Sequence, residues 1–418
     1  MKILMLSEYF YPFDIGGSEW SLYYLSEGLV KKGVDVTILT PNYGGAPKEE
    51  FIKGFKVIRF PFYLKMKSKN PISPFWHTNI LWLIWTTFYL LKYLHESKTE
   101  LIHVQGKYFL PSAVITKFLT GKKIIVTLRD YIILCPLGLC LQSSSKSCNF
   151  GYFISKEIKE YLNIYMVQKS KLRKTGVAIF ALRAKFASLT LKFLLKFANE
   201  TVAISNLEKD IYQKNGFKNI KVIPNPFTYK INDSKRTNTI IFAGRLTPGK
   251  GPDLLLKSMA RVFKKYPGYR LWIFGNGFLR QKLEDLTADL KITGNVIFKG
   301  HVEHKMLLKK ISQSKLTIMP SVWPEPFGRV ALESVLLGTP AVVTENTGIS
   351  QYLNNSGWGL VARPDVADLA EKTILMLKDI SEFSRKIKTD EAKIQNLFSE
   401  AVYKSHLALY EKYNKQQN

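Results

Sequence analysis

Cysteine, histidine and acidic residues are all scarce in this chain: its 418 residues include three Cys, six His and 33 Asp/Glu, against 61 Lys/Arg. Three thiols cannot form a disulfide framework. All three, Cys135, Cys140 and Cys148, fall within fourteen positions, but no CxxC pair occurs, and His103 and His301 are remote. They read as structural or incidental thiols rather than a zinc site, which needs four closely spaced ligands. A long apolar run is also missing. In residues 75–94 the charge-free, mostly apolar core spans only residues 80–91, short of the roughly 20 residues that a membrane span requires. Met1 runs straight into the apolar segment ILML with no signal peptide ahead of it, so a reducing cytoplasm is expected.

What the chain does have is basic charge, and it is unevenly placed. The net charge is +28, and residues 51–200 hold 24 Lys/Arg against 6 Asp/Glu, whereas residues 1–50 are slightly acidic. An excess of this size attracts polyanions over long range. Within the basic region, residues 75–94 are rich in Trp and Tyr, and residues 177–198 set Arg183, Lys185, Lys192 and Lys196 among Phe and Leu at helical spacing. Together these segments predict a peripheral face toward an anionic membrane, on its cytoplasmic side.

At 46% hydrophobic residues, a chain of this length fills two cores. KILMLSEYF reads as a strand, FDIGG as a loop, SEWSLYYLSEGLVKKG as a helix stopped by Gly33, and VDVTILTP as the next strand. That strand-helix-strand order requires a parallel pair with a right-handed crossover. Further strands are predicted at residues 55–59, 101–105, 124–128 and 201–205. TIIFAGR, RLWIFGNG, NVIFKG, LTIMPS and TPAVVTE supply five more, alternating with helices. The fold class is therefore α/β, with two doubly wound, Rossmann-like domains. The expected division is residues 1–205, residues 206–390, and a closing helix within 391–418 that returns to the first domain.

Two segments carry chemistry. In PSVWPEPFGRVALESVLLGTPAVVT, residues 320–344, a strand ends, a Pro-rich loop presents Glu325, and a helix beginning near Gly328 carries Glu333. Strand ends in open α/β sheets form the ligand crevice, so two carboxylates there can reach one polyhydroxylated ligand, beside unpaired amides at the helix start. In FAGRLTPGKGPDLLLKS, residues 242–258, a strand delivers Gly244, Arg245 and Lys250 into a turn before a helix. Two cations near a helix N-terminus suit a departing diphosphate. Gly16 and Gly17 form a Gly pair where backbone can approach a ligand closely. Gly275 and Gly277 follow a strand but lack the third glycine of a dinucleotide fingerprint.

The sequence Glu325, Pro326, Phe327, Gly328, then Glu333 and Ser334, then Gly338 and Pro340, resembles glycosyltransferase family 4, the retaining GT-B enzymes. The resemblance implies two Rossmann-like domains facing across a cleft, a nucleoside diphosphate sugar as donor, and no metal or other cofactor. It implies that Arg245 and Lys250 clasp the diphosphate, that Glu325 meets the donor sugar, and that Glu333 holds the ribose. Gly16, Gly17, Gly244, Gly275, Gly300, Val302, Phe327 and Gly328 would line the donor. Where many members carry a histidine after the strand at 124–128, this chain has Arg129 and Asp130, which would contact the sugar or the acceptor. The usual GGxxE loop is Thr347, Gly348, Ile349, Ser350 and Gln351, an amide replacing a carboxylate.

The function expected is a retaining, hexosyltransferase-type transfer to a hydroxyl on a glycan or lipid-linked acceptor at a membrane surface, as in polysaccharide or cell-envelope assembly. A sugar-nucleotide epimerase and a non-catalytic subunit are the alternatives. Nucleic acid is not expected as a partner, since Glu325 and Glu333 would repel phosphates.

Overall fold

The computed structural model describes residues 1–66, 72–138, 141, 149–166, 170–229, 235–354 and 356–415. They form two compact units. One comprises Met1–Ile204, Lys209–Pro226 and the chain from Val402 onward; the other comprises Ser205–Glu208 and Phe227–Ala401.

The first unit holds an eight-stranded sheet built from β1 Lys2–Leu6, β2 Asp35–Asn42, β3 Glu49–Ile52, β4 Phe55–Pro61, β5 Leu101–Val104, β6 Lys123–Thr127, β7 Glu200–Ala203 and β8 Ile220–Val222. The spatial order is β3-β4-β2-β1-β5-β6-β7-β8. Every pairing is parallel except that of β3 with β4. Residues Ile3 to Leu6 of β1 are all fully buried, which is why the strand reads as a continuous apolar run rather than an alternating one. The edge strand β3 was not expected. It is short, charged and half exposed, and it is joined to β4 by Lys53 (φ 50°) and Gly54 (φ 90°), the two positive φ values of a type I′ hairpin turn.

Helix α1, Gly17–Val30, buries Leu22, Leu25 and Leu29, while Trp20, Tyr23 and Tyr24 meet in tilted and edge-to-face ring contacts at its half-exposed side. Gly33 (φ 82°) ends the turn after it. The apolar stretch at 75–94 becomes a short turn, Pro74–His77, and helix α2, Ile80–Glu96, capped by Asn79 accepting from the Trp82 amide. Only its Trp82, Thr86 and Leu90 stripe is buried, against α3, Leu110–Thr120. No helix of the described residues is long and apolar enough to cross a membrane.

Helix α4, Lys171–Leu194, covers most of the basic segment. Lys185, grouped above with the interfacial cations, is a correction: it is 2% exposed, on the buried stripe with Ala181, Ser188 and Leu191, and its Nζ lies 5.0 Å from the Phe153 ring centre. The closing helix, Ala401–Asn414, drives Val402, Tyr403, Leu409, Tyr410 and Tyr413 into the first unit's core. The stretch that leads into it, up to Ala401, belongs to the second unit.

The second unit's sheet is entirely parallel. Its strands are β9 Thr239–Ala243, β10 Arg270–Phe274, β11 Val296–Gly300, β12 Leu316–Met319, β13 Ala341–Thr344 and β14 Gly359–Ala362, in the order β11-β10-β9-β12-β13-β14. The sixth strand, β14, has four residues and opens on a glycine, too little pattern to read from sequence. The order reverses between β9 and β12. Such a switch point leaves a crevice beyond the carboxyl ends of its two strands. In the first unit the same reversal falls between β1 and β5.

Candidate active site

Both chemistry-bearing segments leave the second sheet at its switch point. β9 runs into Gly244 and Arg245, then a single turn Pro248–Lys250, then α5, Pro252–Lys265; β12 runs into the Pro-rich loop and then α6, Arg329–Leu336. Glycines let these loops touch. Gly251 sits at φ +65°, and a Cβ there would come within 2.0 Å of the Pro320 carbonyl oxygen; a Cβ on Gly275, at φ +115°, would come equally close to the Gly244 carbonyl. Gly275 instead donates its amide to Gly300 O at 2.8 Å, tying the loop after β10 to that after β11, where Val302 is half-buried.

The contact that unites the two segments is direct: Lys250 Nζ donates to Glu325 Oε2, with both side chains mostly shielded from solvent. Glu325 is fixed from behind, its amide donating to Asn346 O at 2.7 Å and its carbonyl accepting from Gly348 N at 2.9 Å. The Trp323 indole also faces Oε2, at 3.4 Å. Arg245 is exposed and, among the described residues, makes no ion pair, so its charge is available to a ligand. Phe327 departs from the expected ligand lining, because its side chain is 2% exposed and packs toward Tyr352 and Phe398. It anchors the loop and can offer a ligand only its backbone. Gly328 (φ 98°) caps α6 in a conformation that favours glycine.

Glu333 lies one turn into α6 and is 2% exposed. Burial opposes its charge, but Arg329 and His304 outweigh burial and hold the carboxyl below the usual carboxylate range. Arg329 Nε donates to its Oε1 at 2.7 Å, and His304 Nε2 reaches the same atom at 2.8 Å. His304 opens the helix His304–Ser312 just beyond Val302. No sequence motif pointed to it. Gln351, in place of the usual carboxylate, accepts from the Asn206 amide at 2.8 Å.

In the first unit, Gly16 is the extended N-cap of α1 and Gly17 its first residue. The Gly16 amide donates to Glu19 Oε2 at 2.8 Å, and Ser18 Oγ donates to Oε1 at 2.6 Å. The spacing of an N-cap and an acid three residues on signals this capping pair, although sequence reasoning passed over Glu19. Arg129 donates to Gln105 Oε1 and, at 2.8 Å, to Asn225 Oδ1. Asp130 pairs with Lys107 at 2.5 Å and accepts at its carbonyl from Tyr212 OH. Glu8, nearly buried, accepts from the Tyr108 amide and covers Gly106; burial raises its pKa despite the nearby Lys107. Lys107, Gln105 and Glu8 follow β5 and β1, at this unit's switch point, and were not singled out in the sequence. Cys135 is buried and donates to Glu157 Oε1 at 3.0 Å. Cys140 and Cys148 lie outside the described residues. Among those residues, no three His, Cys, Asp or Glu side chains are grouped as metal ligands would be.

An uncharacterized glycosyltransferase of Methanocaldococcus jannaschii is 27% identical over 380 residues, 88% of this chain and 86% of the relative. The solved sucrose-phosphate synthase of Thermosynechococcus elongatus is 19% identical, with a TM-score of 0.73 over 99% of this chain and 98% of that one. HepE of Anabaena, in a structure with UDP and glucose, is 17% identical, with a TM-score of 0.67 over 99% of this chain and all of its own. The family model for Glycosyl transferases group 1 matches residues 227–393, and that for Glycosyltransferase Family 4 matches residues 15–228, just over half of the chain. With the two models covering nearly the whole sequence, this chain belongs to glycosyltransferase family 4, and it is a glycosyltransferase of the GT-B fold.

Proposed function

We propose that this glycosyltransferase is a retaining, hexosyltransferase-type enzyme that moves a sugar from a nucleoside diphosphate sugar to a hydroxyl of a glycan or lipid-linked acceptor. The observation that carries the reading is the Lys250–Glu325 ion pair beyond the carboxyl ends of β9 and β12, formed by the same loop that carries the exposed Arg245. As the bond from the anomeric carbon to the β-phosphate oxygen breaks, negative charge develops on the diphosphate. Arg245 and Lys250 stabilise that charge more than they stabilise the intact donor, which is the condition for catalysis. They supply the positive charge themselves, so the reaction as proposed requires no metal.

Glu325, ion-paired with Lys250, is suited to accept hydrogen bonds from sugar hydroxyls rather than to attack carbon. The acceptor oxygen then enters on the face the diphosphate leaves, its hydroxyl proton passes to the departing diphosphate oxygen, and configuration is retained. Glu333 accepts from the ribose, and the backbone of Gly244, Gly275, Gly300, Val302 and Gly328 borders the rest of the donor. The UDP and glucose in the HepE structure support a nucleotide-sugar donor for the shared fold.

From the first unit, Gly16 and Gly17 at the start of α1 border the donor, and Arg129 and Asp130, just after β6, contact the sugar or the acceptor. The same unit offers a surface to an anionic membrane. Helices α2, α3 and α4 leave Ile80, Leu81, Ile84, Phe88, Phe118, Leu119, Phe186 and Phe193 exposed, and residues 171–198 contain no Asp or Glu. That surface supports a protein held peripherally on the cytoplasmic leaflet.

The test is release of nucleoside diphosphate from UDP-, GDP-, ADP- and dTDP-sugars with membrane extract as acceptor. Wild type should release one of them and incorporate its sugar. Arg245→Ala, an exposed substitution, should lower kcat by about 100-fold or more at unchanged Tm. Turnover to an isomerised donor without acceptor would make the enzyme an epimerase, and absence of donor binding across the panel would remove the proposal.

A further inference from the structure

Glu333 is clasped unevenly. Both of its donors, Arg329 Nε and His304 Nε2, bond to Oε1, at 2.7 and 2.8 Å. Among the described residues no donor reaches Oε2. Arg329 stands four residues before Glu333 on the same helix. A guanidinium at that spacing can present two N–H groups to a carboxylate, and the bidentate arrangement is the one such pairs favour. It would consume both oxygens. His304 comes from a different element, at the start of the helix after the β11 loop, and occupies Oε1 from a second direction.

We propose that His304 is a positioning residue for donor binding: by holding Oε1 it prevents the bidentate Arg329–Glu333 pair and keeps Oε2 open to accept a ribose hydroxyl. This rests on the reading of Glu333 as the ribose ligand. It also links the loop bordering the base to the residue that grips the ribose, since His304 follows Val302 by two positions. Removing the imidazole lets the carboxylate turn onto Arg329. A Gln amide reaches the same atom with a neutral N–H and preserves the arrangement, because what is required is a donor on Oε1 rather than a charge.

The experiment is calorimetric binding of UDP, GDP and ADP, followed by the 2′- and 3′-deoxy forms of whichever binds, to wild type, His304→Ala and His304→Gln, with Tm recorded for each. In wild type, loss of the hydroxyl that meets Glu333 should weaken binding about tenfold, as one hydrogen bond to a charged group does. His304→Ala should bind the intact nucleotide about tenfold more weakly and show no further loss with the deoxy form, because the hydroxyl has already lost its acceptor. His304→Gln should stay within about threefold of wild type and keep the deoxy penalty. A His304→Ala protein that retains the full deoxy penalty overturns the inference, whatever its Tm. Wild type that binds a nucleotide with no deoxy penalty, or binds none, removes the ribose reading of Glu333 first, which distinguishes the two failures.

Discussion

At the scale of single residues, the most consequential side chains outside the candidate site are two buried histidines. His103, on β5, is wholly buried; its Nδ1 lies 2.7 Å from Tyr410 OH and its Nε2 2.7 Å from Thr127 Oγ1. His406 lies beside it, with ring centres 5.8 Å apart. Burial, and then Arg129 and His406, push His103 well below its ordinary value, and burial pushes His406 down to about 4. Both rings are therefore neutral in the fold and take up protons near pH 6.5 when unfolded. The unfolded chain binds more protons between these values, so stability rises with pH across that window and is lost as pH falls from 6.5 toward 4. His406 alone accounts for about 3 kcal/mol of that loss. Melting followed from pH 8 to pH 4.5 should show Tm flat above 7 and falling steeply below 6.5. A flat profile through pH 5 would mean that the rings accept charge where they sit. Sequence reasoning treated His103 only as too distant to help the cysteines; its neighbours come from 24 and 307 residues away.

At the scale of elements, the closing helix shows how far a glycine can fix a fold. Gly28 lies in the middle of α1, where glycine is unfavourable by about 1 kcal/mol relative to alanine. The reason for its presence is Tyr403: a Cβ on Gly28 would lie 2.0 Å from the tyrosine ring. The ring cannot retreat, being 5% exposed. Gly28→Ala should therefore destabilise by about 1–3 kcal/mol despite improved helix propensity, lowering Tm by roughly 2–4 °C per kcal/mol. Tyr403→Ala in the same chain should relieve the clash, so a double-mutant cycle should show strong coupling; additive losses would mean that the two positions do not meet. Nothing in the sequence around residue 28 hints at this, since the partner lies 375 positions away. The strands were legible for the opposite reason: β1, β9 and β12 bury both faces, and their apolar runs are local.

At the scale of the whole molecule, charge and exposed apolar surface coincide in residues 51–200. Interfacial binding adds an apolar term from exposed side chains such as Phe118 and Phe193 to roughly 1 kcal/mol per Lys or Arg near an anionic surface. The protein should therefore co-sediment with phosphatidylserine-containing vesicles at low salt, less so at 0.5 M salt, and little with neutral vesicles. Phe118→Ser with Phe193→Ser should weaken anionic-vesicle binding about tenfold or more at unchanged Tm, and equal, salt-insensitive partition with both vesicle types would remove the membrane reading. By itself the sequence determined the α/β class, most parallel strands, and the segments holding Arg245, Lys250, Glu325 and Glu333, because hydrophobic period and turn glycines act over a few neighbouring residues. Tertiary structure alone decided that Lys250 grips Glu325, that His304 shares Glu333 with Arg329, that Phe327 and Lys185 turn inward, and that Tyr403 occupies the gap at Gly28. Each of these depends on which distant strand ends the sheet order brings side by side, and local sequence carries no record of that order.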